Sequence, residues 1–324
     1  RMSISRKSKG GDSKEKKVDC NDYALAAARS GAKKLGQHAS YARSWWAIFH
    51  GLFWIPVIGI PCLASILTTP FLGLTRAQRL IWRHACLYFR ITLWATGISY
   101  TVAGLENLDP KGNYFFACNH ESIFDIPIAF AALPFWLISI AKSIIAYFPI
   151  FGWSVALGGT IFINRSNHKK AVESLNAGQK SLIERPRSVL LFPEGTRTSD
   201  GIVRPFKKGG LILAIQAGMP CVPVAICGTR FINGRAIDAV VPISRSRVKV
   251  VIGKPIETKG MDPDSKDDRD RLADALHAEV VRIKALYDKG VGLGMDEEDT
   301  ETFLNCWRPT PPLDQPFYGR PALS

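Results

Sequence analysis

The sequence lacks the cysteine arrangements that mark a zinc site or a disulfide framework. Structural zinc is usually bound through close cysteine pairs, and disulfides persist in oxidising compartments. No CxxC pair is present, and the cysteines are odd in number. We therefore expect a reducing environment and no metal centre. The seven scattered cysteines are Cys20, Cys62, Cys86, Cys118, Cys221, Cys227 and Cys306.

Two further motifs are missing. There is no GxSxG turn, so no serine is marked as a covalent nucleophile. There is also no aromatic strand of the RNP type, which argues against nucleic-acid binding in spite of a net charge of +14. The excess positive charge then indicates an anionic membrane surface or a phosphorylated substrate as partner.

Charge is absent from one long stretch, residues 45–75. It exceeds the roughly 20 residues that a helix needs to cross a bilayer. Three prolines interrupt it, and basic residues flank both ends, so the positive-inside rule indicates no orientation for a single crossing. We expect a kinked or re-entrant element that returns to the same side. Residues 79–98 mix arginine with tryptophan, which favours an interfacial helix. The alternative is a buried helical hairpin of a soluble protein.

Beyond Gly104, short apolar runs alternate with helical stretches, which predicts an α/β fold with a largely parallel sheet flanked by helices. An amphipathic helix over about residues 264–289 is expected to close the domain. We divide the chain into a basic, partly disordered arm, a membrane-embedded or interfacial helical segment, the catalytic domain and a tail, at residues 1–43, 44–99, 100–289 and 290–324.

Polar residues follow three of the predicted strands at the point where each ends. NYFFAC leads into Asn119 and His120, TIFIN leads into Arg165, and SVLLF leads into the PEGTR turn. Ligands bind at the carboxyl ends of strands in open parallel sheets. If these strands are parallel neighbours, the three groups meet along one edge.

His120 and Asp125 are five residues apart, and on a continuous helix they would point in different directions. They can meet if His120 lies in a loop and Asp125 lies in the first helical turn. An aspartate that holds one imidazole nitrogen leaves the other free to act as a base. The alternative is structural, because Ser122 is a plausible N-cap and Asp125 its capping-box partner.

The PEGTR turn also has two interpretations. It is a polar turn that reverses the chain, or it binds phosphate through Arg197 and its amides, with Gly195 allowing close backbone approach. Arg165 is either a phosphate ligand or an ordinary surface charge.

Four ordered blocks resemble those of the glycerolipid acyltransferases, and most of all the bacterial type of 1-acyl-sn-glycerol-3-phosphate acyltransferase. The resemblance covers about residues 104–257, and Lys142 and the RPFKKGG stretch also look like family features. Asn164 departs from the aspartate that often precedes the arginine of the second block. The blocks are NHESIFD (119–125), GTIFINR (159–165), FPEGTR (192–197) and VPVAI (222–226).

The resemblance implies a glycerolphosphate acyltransferase-like fold and a reaction without metal or cofactor. His120, oriented by Asp125, would take the proton from the sn-2 hydroxyl of lysophosphatidic acid. The hydroxyl oxygen would attack the thioester of acyl-CoA or acyl carrier protein to give phosphatidic acid for phospholipid synthesis. The residues expected to bind substrate are Asn119, Lys142, Arg165, Glu194, Gly195, Thr196 and Arg197.

Two alternatives to this function remain. The same chemistry can serve another acceptor, such as glycerol 3-phosphate or a lysophospholipid, because the motifs do not determine pocket shape. A second alternative is a basic, non-enzymatic membrane-surface or nucleic-acid-binding protein with a decayed acyltransferase core, which the intact motifs disfavour. We expect membrane localisation with the catalytic domain facing the cytoplasm, an anionic membrane surface as partner and no nucleic acid.

Overall fold

A computed structural model of the chain describes residues 41–163, 168–198, 201–232 and 247–287, together with a short pairing between Ser3–Ile4 and Val18–Asp19. The basic arm otherwise lies outside the described residues, as does the tail from residue 288 onward.

Helices and strands alternate through most of this part of the chain. The helices are α1 (Tyr41–Ile66), α2 (Thr69–Leu72), α3 (Leu74–Thr96), α4 (Asp125–Ala132), α5 (Phe151–Leu157), α6 (His168–Glu184), α7 (Gly209–Gln216) and α8 (Lys266–Tyr287). The strands are β1 (Ser99–Ala103), β2 (Phe115–Cys118), β3 (Leu137–Lys142), β4 (Ile161–Ile163), β5 (Ser188–Leu191), β6 (Cys221–Cys227) and β7 (Arg247–Ile252).

The seven strands β1 to β7 form one sheet in the order β1-β7-β6-β2-β5-β3-β4. The five strands from β6 to β4 are parallel to one another. At the other edge, β7 pairs antiparallel with β6, and β1 runs parallel to β7. The prediction of a largely parallel sheet is confirmed. The reversed pair at the edge is a feature that the apolar runs alone did not indicate.

Helices cover both faces of the sheet. Strand β2 shows the division, because its residues alternate between the two faces. Phe116 and Cys118 pack in a core with α3 and α4, whereas Phe115 and Ala117 pack in a second core with α7 and α8. The strand is therefore buried on both sides, and the residues that follow it emerge at the carboxyl edge of the parallel strands.

The amino-terminal helices form an antiparallel hairpin. Trp46 Nε1 donates to the carbonyl oxygen of Ala95 at 3.0 Å, and Tyr88 Oη donates to that of Gly51 at 3.2 Å. The chain thus reverses direction between α1 and α3, and a return to the same side of a membrane stays a prediction. Pro56 and Pro61 lie within α1 and do not end it.

Within the part of the chain that the structure describes, one helical segment is long and apolar enough to span a membrane, residues 48–66 of α1. Its mean hydropathy is 1.7, and 22% of the segment is buried inside the protein. Large apolar side chains of α1 are therefore exposed, among them Trp45, Phe49, Leu52 and Ile60. A core helix of a soluble protein would bury such side chains, so this exposure supports membrane association.

Candidate active site

His120 and Asp125 meet at the carboxyl end of β2. His120 lies in the loop that follows the strand, and Asp125 begins α4. The distance from His120 Nδ1 to Asp125 Oδ2 is 2.8 Å. Because a carboxylate only accepts hydrogen bonds, Nδ1 carries the hydrogen and Nε2 has a free lone pair. The side chain of His120 is 16% exposed and that of Asp125 is fully buried, so the imidazole lies between the protein and the solvent.

The Asp125 carboxylate also organises the loop itself. Its Oδ2 accepts hydrogen bonds from the backbone amides of Glu121, at 2.7 Å, and Ser122, at 2.8 Å. The prediction that Ser122 is the N-cap is wrong, because α4 begins at Asp125 and its N-cap is Phe124, yet the Ser122 amide donates to Asp125 as it would in a capping box. The two interpretations drawn from the sequence are therefore compatible, because one oxygen both caps the turn and holds the imidazole.

The backbone of His120 is held by the loop that follows β5. Its amide donates to Glu194 Oε1 at 2.7 Å, and its carbonyl oxygen accepts from the amide of Thr198 at 2.9 Å. The Phe192 ring stacks on the imidazole with 4.2 Å between ring centres. Strands β2 and β5 are neighbours, which is why these two strand-end blocks come into contact.

Glu194 is buried at the centre of these contacts. Its second oxygen accepts from the amide of Arg204 at 2.8 Å, so the carboxylate joins the loop after β2 to the stretch before α7. The pKa of Glu194 is raised to about 7, chiefly by burial, and the charges of Glu121 and Asp125 act in the same direction. The two amide hydrogen bonds act in the opposite direction, and burial is the larger effect.

Asn119 is fully buried and pairs with the backbone of β6. Its side-chain nitrogen donates to the carbonyl oxygen of Ile226 at 3.0 Å, and its oxygen accepts from the Ile226 amide at 2.7 Å. Since β6 is the other neighbour of β2, this amide joins the two strands where the loop begins. The side chain is directed to the backbone and not to the open edge of the sheet.

The predicted phosphate ligands lie at the same edge. Thr196 is exposed and Arg197 is partly exposed, and Gly195 has a φ of +74°, which glycine adopts without strain. Lys142 is exposed at the end of β3, two strands from β2 and thus about 10 Å away across the sheet. Arg165 lies outside the described residues.

One ion pair beside the site has no counterpart among the residues singled out from the sequence. Lys284 Nζ of α8 lies 2.9 Å from Glu121 Oε1, and both side chains are buried. A signal for it exists in the sequence, because Lys284 continues the i, i+4 series of buried apolar residues Leu272, Leu276 and Val280. A lysine on the apolar stripe of a helix needs a buried partner.

Among the described residues, no three His, Cys, Asp or Glu side chains converge in a way that would hold a metal ion.

Comparison with known proteins defines the class. The Acyltransferase family model matches residues 99–227, which include the His120 loop and the β5–α7 turn. The 1-acyl-sn-glycerol-3-phosphate acyltransferase of Saccharomyces cerevisiae is 34% identical over 221 residues, covering 66% of this chain and 71% of the yeast protein. The protein of that name from Limnanthes alba is 31% identical over 241 residues, covering 71% and 83%.

The fold agrees with these matches. The crystal structure of the 1-acyl-sn-glycerophosphate acyltransferase of Thermotoga maritima superposes with a TM-score of 0.62 at 24% identity, covering 75% of this chain and 95% of that one. The chain is an acyltransferase, and it belongs to the 1-acyl-sn-glycerol-3-phosphate acyltransferase family.

Proposed function

We propose that this enzyme transfers a fatty acyl group from acyl-CoA or acyl carrier protein to the sn-2 hydroxyl of lysophosphatidic acid, giving phosphatidic acid. The observation that carries the proposal is the His120–Asp125 pair at the carboxyl edge of the sheet, in a chain whose relatives are named for this reaction. Assays of acyl transfer with competing acceptors and donors test both the acceptor and the acyl donor.

In the proposed step, Nε2 of His120 takes the proton of the acceptor hydroxyl as its oxygen attacks the thioester carbonyl carbon. The tetrahedral intermediate then collapses, the carbon–sulfur bond breaks, and the imidazolium returns its proton to the leaving thiolate. Asp125 stabilises the imidazolium and holds the ring in the required tautomer. No acyl-enzyme forms, because the acceptor itself is the nucleophile.

The acceptor phosphate would bind along the same edge. We assign it to Arg197 and the turn amides at Gly195 and Thr196, with Lys142 and Arg165 as further cations, because a guanidinium pairs with phosphate through two hydrogen bonds.

For Glu194 and Asn119 we propose a structural role instead of phosphate binding. Both Glu194 oxygens accept hydrogen bonds from backbone amides, of His120 and Arg204. Asn119 is engaged by Ile226 in the same way. We therefore assign both residues to holding the loop in place and not to direct contact with the lipid.

The membrane surface would be contacted by the hairpin. Besides the exposed apolar side chains of α1, one face of α3 presents arginines at spacings of three, four and seven residues, with Trp94 79% exposed near the end of the helix. Arginines beside interfacial tryptophan suit anionic headgroups. The exposed arginines are Arg76, Arg79, Arg83 and Arg90. The catalytic domain would then face the cytoplasm, where acyl donors are available.

Acyl transfer from labelled oleoyl-CoA to lysophosphatidic acid tests the function. Wild type in vesicles of phosphatidylcholine and phosphatidylglycerol should form phosphatidic acid, and His120→Ala should be slower by about 10²–10⁴-fold. His277→Ala is the matched control, since that imidazole lies in α8 and contacts Val203 and Phe206. It should keep near-normal turnover.

Competing acceptors and donors distinguish the alternatives. Glycerol 3-phosphate, a lysophospholipid and acyl carrier protein are offered in the same assay. Preference for another acceptor would change the proposed substrate but not the proposed acyl-transfer chemistry. A fully active His120→Ala would show that His120 is not the base. If no acyl transfer is detected with any of these acceptors and donors, the proposed function is overturned.

A further inference from the structure

The ion pair between Lys284 and Glu121 is buried beside the proposed base. The exposed fractions of the two side chains are 6% for Lys284 and 1% for Glu121, with 2.9 Å between Nζ and Oε1. Lys284 lies in the last turn of α8, far outside the residues 99–227 that the family model matches. The carboxyl-terminal helix thus reaches the loop of the active site.

Glu121 occupies a sensitive place in that loop. It directly follows His120, and its backbone amide donates to the same Asp125 oxygen that holds the imidazole. A shift of Glu121 would therefore disturb one of the three hydrogen bonds that orient Asp125. Its side chain is directed away from the sheet edge towards α8, where Lys284 meets it.

Helix α8 is itself firmly placed against the catalytic domain. Leu272, Leu276, Val280 and Ile283 are completely buried in the core that includes β2 and α7. An ion pair between Lys208 and Asp270 joins α8 to the residue that precedes α7. The helix is consequently a rigid support from which Lys284 can hold the loop.

We propose that Lys284 is a positioning residue for acyl transfer, which holds Glu121 and thereby fixes the relative placement of His120 and Asp125. The inference rests on the proposed role of His120 as the base.

The charges around the dyad give the proposal an electrostatic consequence. The charged side chains that contact or brace the His120 loop include Asp125 in α4, Glu194 after β5, Glu121 in the loop and Lys284 in α8. Three of them are carboxyl groups, and Lys284 is the cation that balances Glu121. Loss of that cation would make the surroundings of the imidazole more negative.

Four variants test this. Lys284→Met removes the charge and keeps the aliphatic chain, and Lys284→Arg keeps the charge. The double variant Glu121→Gln with Lys284→Met removes both charges. Arg271→Met is the matched control, because it removes a cation from the same helix in an exposed pair with Asp268. For each folded protein, kcat, both KM values and the pH dependence of kcat/KM are measured in the vesicle assay.

We expect Lys284→Met to lower kcat about tenfold or more, with both KM values changed less than about threefold, because binding groups are untouched and only the base is misplaced. The acid limb of its pH profile should move to higher pH. Removal of the Lys284 charge leaves the surroundings of the imidazole more negative, which stabilises the imidazolium and reduces the competent enzyme at low pH.

The other variants separate positioning from folding. Lys284→Arg should restore most of kcat, and Arg271→Met should match wild type in kcat and pH profile. The double variant should return the acid limb to its wild-type pH, since it removes one negative and one positive charge together. Its kcat should stay low because the ion pair that holds the loop is missing.

Wild-type kcat and pH profile in folded Lys284→Met would overturn the proposal. If Lys284→Met does not fold, the double variant Glu121→Gln with Lys284→Met is used instead. A wild-type kcat in the double variant would also overturn the proposal. Failure of the proposed function is distinguishable, because then wild type itself would be inactive, or His120→Ala would be as active as wild type.

Discussion

Glu194 makes the stability of this enzyme dependent on pH in a defined direction. Its carboxyl group is 2% exposed and accepts two backbone amides, and burial raises its pKa from 4.5 to about 7. In the unfolded chain the ordinary value applies. Between these two pKa values the folded protein therefore holds a proton that the unfolded chain has lost. Its contribution to stability is full below about pH 4.5 and is lost as the pH rises through 7.

The size of the effect follows from the pKa difference. At 1.36 kcal/mol per pKa unit, a shift from 4.5 to about 7 corresponds to about 3 kcal/mol. Most of it, about 2–3 kcal/mol, falls between pH 5 and pH 8. For a domain of this size, that is a decrease in Tm of about 4–12 °C.

Glu194→Gln removes the titration and keeps the size of the side chain. Its carboxamide can accept only one of the two amides, so at pH 5 the variant should be less stable than wild type by about 1–3 kcal/mol. At pH 8 wild type has lost its proton, and the difference should shrink or reverse.

Thermal unfolding in detergent micelles, followed by tryptophan fluorescence, measures this difference at half-unit steps of pH. Other titrating groups cancel when the variant is compared with wild type. Glu106→Gln, at an exposed position, is the control and should give a constant difference. A Tm difference between wild type and Glu194→Gln that does not change between pH 5 and pH 8 would refute the reasoning, because Glu194 would then be ionised in the folded protein.

Three further predictions concern the site. Asp125→Asn should lower kcat about 10²–10⁴-fold with the fold intact, because the amide oxygen can still accept the three hydrogen bonds of Oδ2 but lacks the charge that stabilises the imidazolium; near-normal kcat would contradict it. Arg197→Ala should raise the acceptor KM about 10–100-fold through loss of a charged hydrogen bond, and a change in the donor KM alone would move Arg197 to the donor site. Asn119→Ala should lower the free energy of unfolding by about 2–4 kcal/mol, since two buried backbone groups of Ile226 lose their partners; an unchanged Tm would count against this bracing.

Much of the site follows from local patterns in the chain. The apolar runs that become β2 and β5 bury both faces, and those that become β3 and β4 are partly buried. Their polar successors emerge at one edge because parallel strands end together. The proximity of His120 and Asp125 is local too, since a turn of six residues with a capping contact brings them together. The roles of these residues stay predictions until the variants are assayed.

Other features of the site depend on residues that are distant along the chain, and local sequence patterns do not predict them. From the PEGTR block we predict a phosphate-binding turn that includes Glu194, yet the position of its carboxylate depends on two amides, of His120 and Arg204, from other parts of the chain. Polar residues in a turn look alike in sequence whether they are directed to solvent or to the protein interior.

The sequence by itself determined the alternation of strands and helices, the apolar character of residues 45–75 and the polar residues at the strand ends, because these depend on neighbouring residues. Only the tertiary structure decided the reversed direction of β1 and β7, the course of α1 as one helix through its prolines, and the pairing of Glu121 with Lys284. For the pairing of Glu121 with Lys284 and of β1 with β7, the physical reason is distance along the chain. Contacts between residues more than a hundred positions apart depend on how whole elements pack, and no short pattern records that packing.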